Sequence, residues 1–243
     1  MTSKEFSNEF DVLLNSYKRF KDFDKQEFLD SVDFNEYEKS LFLTKAQEEI
    51  VIGLYTGKNP YGDSFEKEEE QRRYLSNLVV ECNLYPIATT NGTLLGAESN
   101  SKFFTLPSDV WFITYESVAV SNPKCKNHDY IKVYPTRQDE YQVIRDNPFR
   151  GTNDRRALRL DLSDGVIEII CKYTVSRYYI RYIKKVSPII LEDLPNELTI
   201  DGVGLQSECM LHNALHHQIV DRAVRLALKS KGYNFKEQSN RDN

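Results

Sequence analysis

Glycine and proline are scarce in this 243-residue chain, at 10 and 8 residues, which excludes a low-complexity or disordered polymer. Only four cysteines are present, Cys82, Cys125, Cys171 and Cys209, widely spaced and with no Cys-x-x-Cys pair. That argues against a disulfide framework and fits a reducing compartment. No run approaches the ~20 apolar residues that a membrane span requires. Met1-Thr2-Ser3-Lys4-Glu5 lacks the apolar core of a signal peptide. The expectation is a soluble protein made in a cytoplasm, with no membrane partner.

Catalytic and cofactor signatures are equally thin. Neither Gly-x-Gly-x-x-Gly nor a Lys-Ser/Thr phosphate loop occurs, and Gly202-Val203-Gly204 is too short a match to count. His212 and His216 stand four apart, the spacing of two zinc ligands on a helix. Asn213-Ala214-Leu215 between them supplies no general-base Glu, and no third ligand is evident. Cys125 with His128 and Asp129 reads as a surface loop, because a nucleophilic Cys needs a held base and an oxyanion site. The expectation is a non-enzymatic protein with no catalytic residue, no metal and no cofactor.

What the chain does have is aromatic side chains, 15 Tyr and 13 Phe against one Trp. Tyr in that number suits half-buried surfaces, where a ring packs and a hydroxyl stays wet. Net charge is −5 but uneven. Residues 1–81 hold 18 Asp/Glu against 11 Lys/Arg, a net of −7, and residues 122–185 hold 8 against 14, a net of +6. Such a pairing of acidic end and basic middle serves contacts within the fold, between copies, or with a partner.

The spacing predicts an α+β fold: an N-terminal helical bundle, a central β-rich region (a small antiparallel sheet or sandwich) and a C-terminal helix. The divisions fall at 1–83, 84–206 with a short helix near 136–146, and 207–243. Thr2 and Glu5 form a capping box before Phe6, Phe10, Leu13, Leu14 and Tyr17. A helical patch follows at Gln26 to Val32. Thr44 with Gln47 repeats the capping pattern, ahead of a helix stopped by Gly57, and Ser64 opens a third helix through Cys82. Asn91-Gly92 signals a hairpin, Val110 to Val120 and Tyr130 to Tyr134 read as strands, and Asn122 to Asp129 as a polar loop. Ser207 or Asn213 is placed to cap the last helix, and a polar tail follows Gly232.

The basic stretch 145–185 is the most sheet-like part. It opens on the corner Asn147-Pro148-Phe149-Arg150-Gly151 and continues with Arg155, Arg156 and Arg159. Ala157 to Leu162 alternates with period two, Ser163-Asp164-Gly165 is a hairpin turn, and Val166 to Cys171 is a short apolar run. Tyr178, Ile180 and Tyr182 fall on one face of a further strand. The arginines beside Phe149 admit two uses, contact with nucleic-acid phosphates and pairing with carboxylates across a protein interface. The negative net charge favours the second.

Three motifs taken together resemble the virion proteins of crAss-like, short-tailed phages of gut Bacteroidetes. They are Glu36-Tyr37-Glu38-Lys39-Ser40-Leu41-Phe42-Leu43-Thr44-Lys45-Ala46-Gln47-Glu48-Glu49-Ile50-Val51, then Thr136-Arg137-Gln138-Asp139-Glu140-Tyr141 leading into Asn147-Pro148-Phe149-Arg150, and His216-His217-Gln218-Ile219-Val220-Asp221-Arg222-Ala223-Val224. The resemblance implies a structural head-to-tail connector ring protein of the adaptor type, twelvefold around the DNA channel, in the tail or neck of the virion. Its partners would be itself, the portal and the next tail or ring protein, with transient non-specific contact with genomic DNA. Phe149, Arg150, Arg155, Arg156, Arg159, Tyr233 and Phe235 are the expected interface residues. The alternative is a DNA-binding accessory protein using the same arginines of 145–185.

Overall fold

The computed structural model describes residues 1–19, 33–58, 65, 67–87, 101–121, 130–195 and 197–232. Its elements run α1 (Ser3–Arg19), α2 (Glu36–Thr56), α3 (Glu69–Tyr74), β1 (Val79–Leu84), β2 (Lys102–Thr105), β3 (Val110–Ser121), β4 (Tyr130–Thr136), α4 (Tyr141–Arg145), β5 (Arg156–Asp161), β6 (Val166–Ile170), β7 (Thr174–Lys184) and α5 (His216–Ser230). They gather into two compact units, Met1–Leu78 together with Val186–Asn243, and Val79–Lys185.

In the helical unit, α1, α2 and α5 pack on one another. Phe6, Phe10 and Leu14 of α1 are buried, as are Leu43, Ala46, Val51 and Leu54 of α2. Ile219, Val220, Ala223, Val224, Ala227 and Leu228 form the buried stripe of α5 at the spacing of one helix face. The capping box at Thr2 and Glu5 is present, with Thr2 N donating to Glu5 Oε2 at 2.7 Å. The second box lies at Asn35 and Glu38 rather than at Thr44 and Gln47. Helix α2 therefore runs through Thr44, and Gly57 ends it in the left-handed conformation at φ 76°.

Thr44 and Gln47 do other work. With Ser40 they form a buried polar row at i, i+4 and i+7 that holds the extended segment 187–191. Gln47 Nε2 donates to Ser187 O at 2.8 Å, Ile189 N to Thr44 Oγ1 at 3.1 Å, and Leu191 N to Ser40 Oγ at 3.1 Å. Side-chain hydroxyls thus satisfy backbone groups that a neighbouring strand would otherwise satisfy. Ser207 bridges to Ile190 in this segment and caps no helix. The short turn before α5 is capped by His212, whose ring accepts from Ala214 N.

The helix expected from Ser64 through Cys82 is shorter. It spans Glu69–Tyr74, and Val79–Leu84 is a strand paired antiparallel with residues 178–183 of β7. The apolar residues at Val80, Cys82 and Leu84 satisfy period two as well as a helical stripe, and strand pairing decides between the two.

All seven strands lie in one sheet, ordered β1-β7-β3-β4-β5-β6-β2. It is mixed, neither purely antiparallel nor a sandwich. β4 and β5 are parallel, joined by the crossover that carries α4, and every other pairing is antiparallel. The β5–β6 hairpin turns at Asp164 and Gly165, both at positive φ (54° and 70°), as an Asp-Gly turn requires.

The sheet curls on itself. Four strands separate β7 from β2, a distance of about 24 Å in a flat sheet at ~4.8 Å per strand. Yet the rings of Tyr178 on β7 and Phe104 on β2 stand 5.4 Å apart. Three register shifts between β3 and β7 supply the bending, and Ile87 N donating to Phe103 O links the chain after β1 to β2. The concave face holds Val118, Ile131, Val133, Ile169, Tyr178 and Ile180. On the convex side, Tyr141 and Ile144 of α4 cover Leu158, Leu160 and Ile170.

Candidate interface site

The corner after α4 is built by the backbone. Asn147 Oδ1 accepts from Phe149 N at 2.9 Å and from Arg150 N at 3.1 Å, an Asx turn, and Gly151 N donates to Asn147 O at 2.7 Å. A Cβ at Gly151 would stand 2.8 Å from both Arg145 O and Asn147 O. Only glycine lets the chain pass there. The consequence is a rigid turn that holds Phe149 out in solvent at 86 % exposure, with Val143 of α4 also exposed.

The arginines divide into two groups. Arg150 and Arg155 are exposed, and neither has a carboxylate partner among the described residues. The Arg156 guanidinium lies over the Tyr134 ring, 4.2 Å from its centroid, and reaches Arg150 O at 3.3 Å. Arg159 points into the curl of the sheet. Its Nη1 meets Glu116 Oε2 at 2.9 Å and its Nε meets Asp161 at 2.9 Å, with the Arg159 side chain 11 % exposed. Tyr178 Oη donates to the same Glu116 oxygen at 2.6 Å. Burial works against the Arg159 charge, but Glu116 beside it holds the guanidinium above its ordinary value. Burial, reinforced by Glu116, pushes the Tyr178 phenol up strongly.

Beside the corner, Tyr141, Arg145, Thr152, Leu158, Ile170, Cys171 and Lys172 line a cleft of about 490 Å³. On its rim Asp154 accepts from Lys172 Nζ and Tyr173 Oη, both at 2.7 Å, which holds its carboxyl below the usual range. Tyr233, Phe235, the Asn91-Gly92 signal, the 26–32 patch, Ser64, and the trio Cys125, His128 and Asp129 lie outside the described residues. The three C-terminal histidines go separate ways. His212 caps its turn, His216 is buried against Leu211 O at 3.2 Å and the Met1 amino group at 2.8 Å, and His217 meets Glu9. Among the described residues, Cys82, Cys171 and Cys209 form no disulfide.

The model of the family described as "Phage tail ring protein 3/4" matches residues 1–240. The chain belongs to this crAss-like phage tail ring protein family. It is 45 % identical over 234 residues to "Ring protein 3" of Bacteroides phage crAss001, covering 95 % of this chain and 96 % of that protein. It is 30 % identical over 236 residues to "Ring protein 4/5" of the same phage, covering 93 % and 92 %. As a member of the family, the chain is a structural ring protein of the virion tail. No helix among the described residues is long and apolar enough to cross a membrane.

Of the residues sequence reasoning singled out, Phe149 and Arg150 share the Asx turn and Arg156 reaches Arg150 O. Arg155 lies on the adjoining turn at Asn153, Arg159 turns away into the curl, and Tyr233 and Phe235 lie outside the described residues. Tyr134, on which Arg156 lies, escaped that reading. Its signal was the alternation Tyr130-Ile131-Lys132-Val133-Tyr134, which puts the two valine-like residues in the core and Tyr130, Lys132 and Tyr134 on the outer side.

Proposed function

We propose that this chain forms one layer of the head-to-tail connector, a twelvefold ring around the DNA channel that joins the portal to the tail. The observation that carries it is the Gly151-locked corner, which spends local order on displaying one aromatic ring and two arginines that have no carboxylate partner among the described residues. A buried-quality hydrophobe held rigidly outward, flanked by Arg, has the composition of an interface hot spot. The task is mechanical. Phe149 anchors a neighbour, Arg150 and Arg155 pair with its carboxylates, and the ring keeps the channel continuous. Arg156, stacked on the Tyr134 ring, braces the corner through Arg150 O, whereas Arg159 is engaged inside the curl with Glu116 and is not a contact residue. Tyr233 and Phe235 belong to the same proposal as contacts of the C-terminal segment with the portal or a neighbouring copy.

Native mass spectrometry of the purified chain, alone and with the portal of its virus, tests this. Discrete rings, or a complex formed with the portal, support it, and Phe149→Ala with Arg150→Glu then lowers the assembled fraction. A strict monomer that ignores the portal overturns it. The exposure of Arg150 and Arg155, neither with a carboxylate partner among the described residues, favours one second reading, sequence-independent contact with DNA phosphates. A salt-dependent shift of duplex DNA by the monomer, lost on changing both arginines to glutamate, is its mark.

A further inference from the structure

The outer side of the sheet carries a second surface, adjoining the corner at Arg156 and Tyr134 and extending over strands β4, β3, β7 and β1. Register aligns Lys132 with Ser117, Ser117 with Tyr179, and Tyr179 with Asn83. The next row places Tyr130 opposite Ala119 and Ala119 opposite Arg177. A third runs Tyr115, Arg181, Glu81. Their chain neighbours Ile131, Val118, Tyr178 and Ile180 fill the concave core, so these rows face outward.

Tyr130 is 58 % exposed and Tyr115 43 %. Ser117 and Ala119 keep the floor low between the tyrosine ridges. Arg177 Nη2 donates to Tyr130 Oη at 3.1 Å, Tyr115 and Tyr179 meet edge-on at 6.0 Å, and Lys132 lies 5.2 Å from the Tyr134 ring centroid. Four cations, Lys132, Arg156, Arg177 and Arg181, share this face with Glu81. None of the four makes an ion pair among the described residues.

We infer that this tyrosine–arginine face receives the acidic helical unit of a second copy of the chain, as the head-to-tail contact of the ring. The inference rests on the ring reading above. Charge selects the occupant: residues 1–78 of the helical unit hold 17 Asp/Glu against 11 Lys/Arg, a net of −6, and Glu69 and Glu70 stand exposed on α3. Guanidinium groups steadied on tyrosines present planar forks that suit carboxylates. Two unlike faces on one subunit are what a closed heterologous ring requires. Nucleic acid fits less well, because the whole chain is at −5 and a duplex binder needs a basic balance.

The test is native mass spectrometry and sedimentation of the full chain carrying Arg177→Glu or Lys132→Glu, with unchanged circular dichroism as the folding control. At least a tenfold rise in the concentration for half-assembly is expected from either variant, with recovery when Arg177→Glu is mixed with a Glu69→Arg/Glu70→Arg copy. Wild-type chain that forms rings while both variants form them equally well overturns this inference and leaves the ring reading standing. Wild-type chain that forms no ring, alone or with the portal, overturns both. Normal rings with lost salt-dependent retention of duplex DNA assign the face to DNA and overturn it as well.

Discussion

Arg159 and Glu116 form an ion pair at 2.9 Å although β4 lies between their strands, because both point into the curl of the sheet. With side chains 11 % and 8 % exposed, the pair is out of water, and the Tyr178 hydroxyl completes it. Its worth is clearest when one partner is removed, since the other is then a buried charge with no counter-ion. Arg159→Leu is expected to cost about 3–5 kcal/mol, read as a lowered urea midpoint at unchanged slope. The double change Arg159→Leu with Glu116→Leu recovers a large part of that loss. A single variant as stable as the wild type removes the pair from any structural role.

The pair also marks the limit of what the sequence discloses. Local signals were legible: Asp164-Gly165 turned the β5–β6 hairpin, and the alternation at Tyr178, Ile180 and Tyr182 put all three in the core. Arg159 read as one of a surface cluster because nothing near it in sequence names Glu116 as its partner. Val79 to Cys82 read as the end of a helix because the partner strand β7 lies far along the chain. Thr44 with Gln47 had the form of a cap, and only the arrival of segment 187–191 gives the two side chains a different use. The corner was readable, since Asn-Pro and Gly at short spacing dictate a turn. Its display of Phe149 depended on α4, which covers the sheet behind it.

Thr44→Val tests the polar row of α2. The substitution keeps the shape but leaves the Ile189 amide without its acceptor in a buried site. An unsatisfied buried donor costs about 1–3 kcal/mol. Native-state hydrogen exchange is the direct readout: the Ile189 and Leu191 amides lose protection together if the row staples the segment. Unchanged protection at both would show that packing alone holds it.

Gly151→Ala separates the corner's geometry from its chemistry. The new methyl would lie 2.8 Å from two carbonyl oxygens, neither of them the far end of a flexible side chain. Overpacking of this kind costs about 1–3 kcal/mol, and the Asx turn must open to relieve it. Stability therefore falls modestly while assembly falls more, because Phe149 is no longer held in one place. The comparison is with Phe149→Ala, which lowers assembly and leaves the unfolding midpoint within about 0.5 kcal/mol of the wild type.

His216 makes the helical unit sensitive to acid. Its ring is buried at the start of α5, where Nδ1 faces the Met1 ammonium and Nε2 donates to Leu211 O. Burial first, and then the positive groups at Met1, His217 and His212, lower its pKa below the ordinary 6.5, against the Leu211 hydrogen bond that raises it. The unfolded chain thus binds a proton at a pH where the folded chain still excludes it. Linkage gives the sign: stability from this group is complete above about pH 6.5 and is lost as pH falls toward the folded value. Urea midpoints measured between about pH 7 and pH 5 should fall for the wild type and fall less for His216→Gln, which cannot titrate there. Carboxylates common to both proteins cancel in that difference, so equal slopes would mean that the buried ring accepts its proton in the folded state at no cost.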